Sequence, residues 1–180
     1  DILSRMARDS LAKVALSVTT LDRHLARSME PRASTPAKRL EAVRQLAEAG
    51  IPTYVMVAPI IPGLNDHEIE AILGAAKDVG AFGAGYVMLR LPLELKDIFR
   101  EWLLTEFPDR ADRVLHLVQS IHGGRDYRAE FGLRQKGSGP YAQQIAARFR
   151  LALKRLGLNE SRKPLRTDLF ERPGKSGQQL

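Results

Sequence analysis

The sequence predicts an α/β fold built on parallel strands, and three observations carry that prediction. Apolar runs of strand length lie near residues 14, 52 and 84, spaced by 38 and 32 residues, which leaves room for a helix in each gap. Parallel strands need such crossovers, whereas a short turn suffices for antiparallel ones. In Lys13–Thr20 the even positions Val14, Leu16 and Val18 are large and apolar, and the odd positions Ala15, Ser17 and Thr19 are small or polar. Such a strand packs one face on helices and turns the other to a lumen or cleft. In Gly50–Asp66 a helix stop, an apolar strand, a proline-stiffened turn and a new helix follow one another without a gap. The spacing suits a β/α barrel or a doubly wound sheet.

The elements follow in order. Ile2, Leu3, Met6 and Leu11 keep roughly helical spacing, so the chain opens in a helix. After the strand at 13–20, residues 21–34 read as a polar connection. Thr35 is a candidate N-cap with Pro36 at the first helical position, and Leu40, Val43, Leu46 and Ala47 form the helix's apolar stripe. Gly50 ends that helix in the left-handed conformation that glycine adopts without strain. Ile51–Ala58 is apolar almost throughout, as in a parallel strand covered on both faces. Pro59 and Pro62 lack an N–H and are expected to end the sheet, while Gly63 permits close backbone approach. Asn65 and Glu68 have the spacing of a capping box for the next helix, whose inward residues are Ile69, Ile72, Leu73 and Ala76. Gly80 closes it. A third strand is expected over Gly85–Leu91, ending at Pro92, with helices over Leu95–Glu106 and Asp109–Ile121. Gly123-Gly124 breaks the second of these, 125–139 read as loop, and Tyr141, Ile145, Phe149, Leu153 and Leu156 mark a last amphipathic helix ended by Gly157. Residues 159–180 read as an extended tail. Three strands cannot close a barrel, and an opening helix implies a strand before it, so the chain is expected to be the C-terminal part of a larger β/α protein.

Composition narrows the class. There is no cysteine, which removes thiol nucleophiles and cysteine-ligated metals from this chain. The four histidines, 24, 67, 116 and 122, show no metal-ligand spacing, so no metal site is expected. No run approaches membrane-spanning length and no signal peptide is visible, so a cytoplasmic location is expected. The net charge of +7 is uneven: residues 1–122 hold 15 Lys/Arg and 16 Asp/Glu, residues 123–180 hold 13 and 5. A surplus confined to the C-terminal third fits either a solvated basic surface or an anionic partner such as nucleic acid, contacted through residues 141–172. Few aromatics are interleaved there, so base stacking is not indicated.

Several segments then form an ordered set: Ser17-Val18-Thr19-Thr20, Met29-Glu30-Pro31-Arg32-Ala33-Ser34-Thr35-Pro36, Arg39-Leu40, Ala49-Gly50-Ile51-Pro52 and Ala58-Pro59-Ile60-Ile61-Pro62-Gly63-Leu64-Asn65-Asp66. Tyr86–Pro92, Phe131-Gly132-Leu133-Arg134 and Gly139-Pro140-Tyr141 continue it. In order and spacing the set resembles the second half of radical S-adenosylmethionine (SAM) proteins. Within these it is most similar to the branch related to spore photoproduct lyase, also called DNA repair photolyase-like. The resemblance implies a partial (β/α)6, TIM-like barrel whose fourth to sixth strands are those named above. It divides the chain into the barrel half (1–106), a helical extension with a basic amphipathic helix (107–158) and a basic tail (159–180). It implies a radical SAM enzyme, lyase-like in its reductive cleavage of SAM, with SAM and a [4Fe-4S] cluster as cofactors. The family's cluster-binding cysteine motif is not in this chain, so the missing N-terminal half would supply it.

Carried over by position, Ser17 and Thr19 match residues that hydrogen-bond the SAM ribose. Arg32 matches a cation that pairs with the SAM carboxylate. Val57, Ala58, Pro59 and Ile60 match the strand edge against which adenine packs, and Arg90 faces substrate or SAM. No catalytic residue is assigned. The alternative from a different class is a basic nucleic-acid-binding module without catalytic activity of its own.

Overall fold

A computed structural model describes residues 1–124, 133–160 and 164–171. Its elements are α1 (Ile2–Arg8), β1 (Val14–Ser17), α2 (Arg23–Met29), α3 (Pro36–Glu48), β2 (Thr53–Ile60), a 3-10 turn (Asp66–Glu68), α4 (Ile69–Asp78), β3 (Gly83–Met88), α5 (Leu95–Glu106), α6 (Pro108–Ile121), α7 (Leu133–Lys136) and α8 (Gly139–Leu156). The strands form a parallel three-stranded sheet in the order β1-β2-β3, with Val14 opposite Thr53 and Tyr54 opposite Gly83. The expected α/β class and helix crossovers are therefore present.

The two sheet faces differ. Thr53, Val55, Val57, Tyr86 and Met88 are buried on one face, where α3, α4 and α8 supply Val43, Ile72, Leu73, Ile145 and Phe149 to a common core. The Tyr86 and Phe149 rings meet at 4.8 Å. On the other face Ala15 and Ser17 are exposed, and Tyr54, Met56, Ala58, Gly85 and Val87 are half-buried. β1 thus shows the expected two-faced character. β2 does not have both faces covered. Its alternation of buried and half-buried residues arises because the core-forming helices lie on one side only. A second core, around Leu25, Ile61, Leu64, Leu89, Phe99, Leu103 and Val114, joins the strand ends to α2, α5 and α6.

Four local expectations are corrected. Residues 21–34 contain α2, capped by Asp22, whose carboxylate accepts from the N–H groups of His24 and Leu25. Leu25 is buried and Met29 packs against the same core one turn on, a two-contact pattern too short to stand out by periodicity. β2 runs through Pro59 to Ile60, so Pro59 does not end the sheet; a register irregularity between Val57 and Ile60 lets the strand pass the residue that cannot donate. Asn65 and Glu68 make no helix cap, and both side chains reach across to the end of β1. Part of the expected loop at 125–139 is the short helix α7. Phe131-Gly132 and the side chains of Leu133 and Arg134 lie outside the described residues, as do 161–163 and 172–180 of the expected tail.

Leu73 is fully buried in the sheet-facing core, so Leu73→Ala is expected to lower unfolding stability by about 3 kcal/mol through lost burial and a residual cavity. Denaturant titration reads this, and a loss under about 1 kcal/mol would contradict the core described.

Candidate functional site

The C-terminal ends of β1 and β2 are joined by the turn that follows β2. Asn65 is 2% exposed. Its Oδ1 accepts from Ile61 N at 2.7 Å, and its Nδ2 donates to Thr19 O at 2.8 Å and Pro59 O at 3.0 Å. One amide therefore satisfies three main-chain groups from two strand ends. Glu68 makes a parallel link, accepting from Thr20 Oγ1 and from Leu21 N at 3.0 Å. Asp66 fixes the turn from its other side: Oδ1 accepts from Gly63 N at 2.9 Å and Oδ2 from Tyr141 Oη at 2.6 Å. At Gly63, φ is +75°, a left-handed conformation that favours glycine.

Beside these strand ends sits a charged cluster. Glu30 Oε2 faces Thr19 Oγ1 at 3.1 Å and accepts from Arg39 Nη2 at 3.1 Å. Thr19 Oγ1 has one proton to give, with Ala58 O at 3.0 Å as its other acceptor. Arg39 also donates from Nη1 to Ser17 O and from Nε to Ser34 O, each at 3.0 Å. This guanidinium thus ties β1 to the loop before α3, in the planar fork geometry that lysine lacks.

Glu30 lies where two clefts meet. One, about 580 Å³, is of mixed polarity, with Arg23, His24, Arg27, Glu30, Ser34 and Thr35 among its lining residues. The other, about 340 Å³, is mainly apolar and lies among Met29, Pro59, Leu89, Leu91, Phe99 and Trp102, with Glu30 and Arg90 also on its wall. An apolar cleft with a few converging polar groups at the ends of parallel strands is where α/β proteins bind small molecules. Trp102 Nε1 donates to Ser28 O at 3.2 Å, holding α5 against α2.

The predicted site residues separate into groups. Pro59 and Arg90 line the apolar cleft, while Thr19 is buried behind Glu30 with its hydroxyl between Glu30 Oε2 and Ala58 O, and Ala58 lines neither cleft. Val57 and Ile60 are each 1% exposed and point into the sheet-facing core. Ser17 is exposed at the end of β1, its carbonyl held by Arg39. Arg32 is exposed on the turn between α2 and α3. Glu30, Arg39 and Asn65 are the residues that sequence reasoning gave no site role. Glu30 and Arg39 are nine apart with a helix start between them, so their contact has no periodic signature. The one signal for Asn65 was its capping position, which pointed to the wrong partner. No group of three or more His, Cys, Asp or Glu among the described residues could hold a metal ion. His122 is buried, with Nε2 3.0 Å from Leu89 O.

Asn65→Ala would strand Ile61 N, Thr19 O and Pro59 O in a buried setting, and is expected to cost about 2–4 kcal/mol by denaturant unfolding. Burial, followed by the Asp66 hydrogen bond, pushes the Tyr141 hydroxyl from 10.0 to about 12. The unfolded chain loses this proton near pH 10 while the folded chain keeps it, so stability falls as pH rises from about 10 to about 12. Tyr141→Phe is expected to flatten part of that alkaline slope in pH-dependent thermal unfolding; an unchanged slope would contradict the Asp66–Tyr141 pairing.

Residues 1–76 match the family model described as the Radical SAM superfamily. An uncharacterized protein of Mycobacterium tuberculosis is 30% identical over 120 residues, covering 66% of this chain and 35% of that protein. An uncharacterized protein of Methanocaldococcus jannaschii is 31% identical over 100 residues, 56% of this chain and 37% of the relative. One from Acidianus two-tailed virus is 35% identical over 85 residues, 44% and 28% respectively. The matches thus span roughly a third of the length of these curated relatives. No solved structure matches the chain. The stretch similar to the radical SAM superfamily contains β1, β2 and the turn between them and α4, and with them Thr19, Glu30, Arg39 and Asn65.

Proposed function

We propose that this chain forms the ribose and adenine side of the S-adenosylmethionine site of a radical SAM enzyme, together with part of its substrate site. The observation that carries the proposal is the Glu30–Thr19–Arg39 cluster at the strand ends, beside an apolar cleft, within the residues that match the superfamily model. The chemistry of the donors fits the two halves of a nucleoside. Glu30 Oε2 is already occupied by Thr19 and Arg39, which orients the carboxylate and leaves Oε1 for a ribose diol. Ser17 supplies a second hydroxyl on the same strand. Pro59, Leu89 and Leu91 offer apolar surface to a flat base, and Ala58 precedes Pro59 on the same strand. Arg90 on the cleft wall and Arg32 on the rim are the cations available to the amino-acid end of SAM or to substrate. Val57 and Ile60 contribute by shaping the strand from its core side.

The [4Fe-4S] cluster that supplies reductive cleavage in this superfamily does not fit the residues of this chain, which has no cysteine. We place its ligands in a further part of the same polypeptide. The outer edge of β1, which pairs with no strand among the described residues, and the exposed Ile2 (66%), Leu3 (43%) and Met6 (39%) of α1 are the surface such a part would cover. The relationship to the spore photoproduct lyase branch, and with it a nucleic-acid substrate, belongs to this proposal and rests on the motif order given above. No helix among the described residues is long and apolar enough to cross a membrane.

A second reading, a nucleic-acid-binding surface, is favoured by the C-terminal charge surplus. On α8, Arg148 is engaged by Glu70 through 2.6 and 2.9 Å contacts, which leaves Arg150, Lys154 and Arg155 as the described cations for a phosphate backbone. Of the cations that follow, Arg166 is paired with Asp168 at 2.7 Å, and Arg162 and Lys163 lie outside the described residues. A filter-binding salt titration with duplex DNA tests it: binding should weaken steeply with salt, and affinity no better than for a neutral polymer rejects it.

In the full-length protein, Glu30→Gln is expected to weaken SAM binding about tenfold by calorimetry, since the amide presents a donor where the diol needs an acceptor. Ser17→Ala and Arg32→Ala should weaken it by smaller factors. Unchanged affinity in all three would sink the site assignment. A reading frame extended upstream should encode a Cys-x3-Cys-x2-Cys motif, and its absence would end the radical SAM proposal.

A further inference from the structure

Beside α2, the cleft of about 580 Å³ carries more positive than negative charge on its lining. Arg23 and Arg27 lie four residues apart on α2 and both are exposed, so their side chains share one face of the helix. The other face, through Leu25 and Met29, is seated on the second core. Like charges at this spacing repel each other. Neither guanidinium has a hydrogen bond or ion pair with any described residue. The acids of this stretch are committed elsewhere. Asp22 caps α2, accepting from the N–H groups of His24 and Leu25. Glu30 carries the one carboxylate among the lining residues, and Arg39 balances it at 3.1 Å. Further donors complete the lining. Thr35 Oγ1 accepts from Lys38 N at 3.4 Å and keeps its own proton to give, and Ser34 adds a second hydroxyl. His24 adds an imidazole set edge-on to Phe107, with ring centroids 6.4 Å apart.

We propose that this cleft is a subsite for a phosphate monoester, so that the substrate of the neighbouring site carries a terminal phosphate. Charge selects the monoester. It bears about −1.5 to −2 at neutral pH, which the two unpaired guanidiniums balance. A phosphodiester or a carboxylate bears a single charge and needs only one of them. The planar fork of arginine matches phosphate oxygens, and two forks with two hydroxyls supply donors for all the terminal oxygens of a monoester. The volume leaves room for the group that bears the phosphate, and the cleft meets the apolar one at Glu30. As a statement about substrate, this rests on the strand ends being a SAM and substrate site; the anion binding itself does not.

The full-length protein is treated with phenylglyoxal, which modifies accessible arginines, at constant ionic strength, and each site is followed by peptide mass spectrometry. Methyl phosphate at about ten times its dissociation constant is expected to slow modification of Arg23 and Arg27 about tenfold. The exposed Arg44 and Arg110, away from the cleft, should react as before. Dimethyl phosphate and acetate at the same concentration should protect neither arginine of the pair. Arg27→Gln should weaken the protection of Arg23 about tenfold, as for loss of a charge-assisted hydrogen bond. SAM affinity, read by calorimetry on the same preparation, separates the subsite from the SAM site. Protection by methyl phosphate without SAM binding keeps the subsite and sinks the SAM site. Absence of protection overturns the subsite whether or not SAM binds. Equal protection by dimethyl phosphate, by acetate or by SAM itself also overturns it. So does failure of both arginines to react in the ligand-free protein, since they are then covered by another part of the chain.

Discussion

The structure depends most on the way one buried amide holds two strand ends at a fixed separation. A parallel sheet leaves ragged main-chain groups where its strands stop, and a ligand site at those stops requires them to be satisfied without being covered. Asn65 does this from beneath, taking Ile61 N, Thr19 O and Pro59 O together. Because the amide is satisfied at both ends, it has no alternative partner to drift towards. The Pro59 ring is thereby held at the cleft, and the buried Thr19 hydroxyl is held between Ala58 O and Glu30. Glu68 and Asp66 extend the hold to the β1–α2 connection and to α8, so three polar side chains within four residues set the geometry of the whole mouth.

The helix α8 belongs to this arrangement energetically. It contributes Ile145 and Phe149 to the sheet-facing core, Tyr141 to Asp66 and Arg148 to Glu70. The Arg148 hydrogen bonds hold the Glu70 carboxyl below its usual range. The pair is half-exposed, so water screens much of its attraction and its main effect is to fix the lateral position of α8 on α4. What the sequence presents as a basic amphipathic helix is, in the fold, the cover for β3.

Much of this was legible in the sequence where periodicity or a special backbone residue is the cause. The βα alternation, the Thr35–Pro36 start of α3, the Leu95–Glu106 helix and the Gly157 stop are all local signals, and the structure shows each where expected. The polar residues that act over long range were not legible. Asn65 and Glu68 have the local spacing of a cap, and what diverts them is the end of β1, more than 40 residues away. Glu30 and Arg39 are joined only because the chain after α2 and the start of α3 both meet the end of β1. Asn159 meets Ala84 across 75 residues, in a stretch whose composition reads as tail. Of the candidate site residues, Val57 and Ile60 belong to an apolar run whose facing the sequence could not decide, since one residue of register exchanges core for cleft.

The placement of Trp102 has a practical consequence. It is the only tryptophan in the chain, its ring lines the apolar cleft, and its indole N–H is bonded to the carbonyl of Ser28 in the helix that ends at Met29. The molecule therefore carries a built-in optical probe at its mouth. Tryptophan emission responds to the polarity around the ring and to the loss of that hydrogen bond. A change in cleft hydration or in the seating of α2 would appear as a shift in wavelength, without any label attached to the protein.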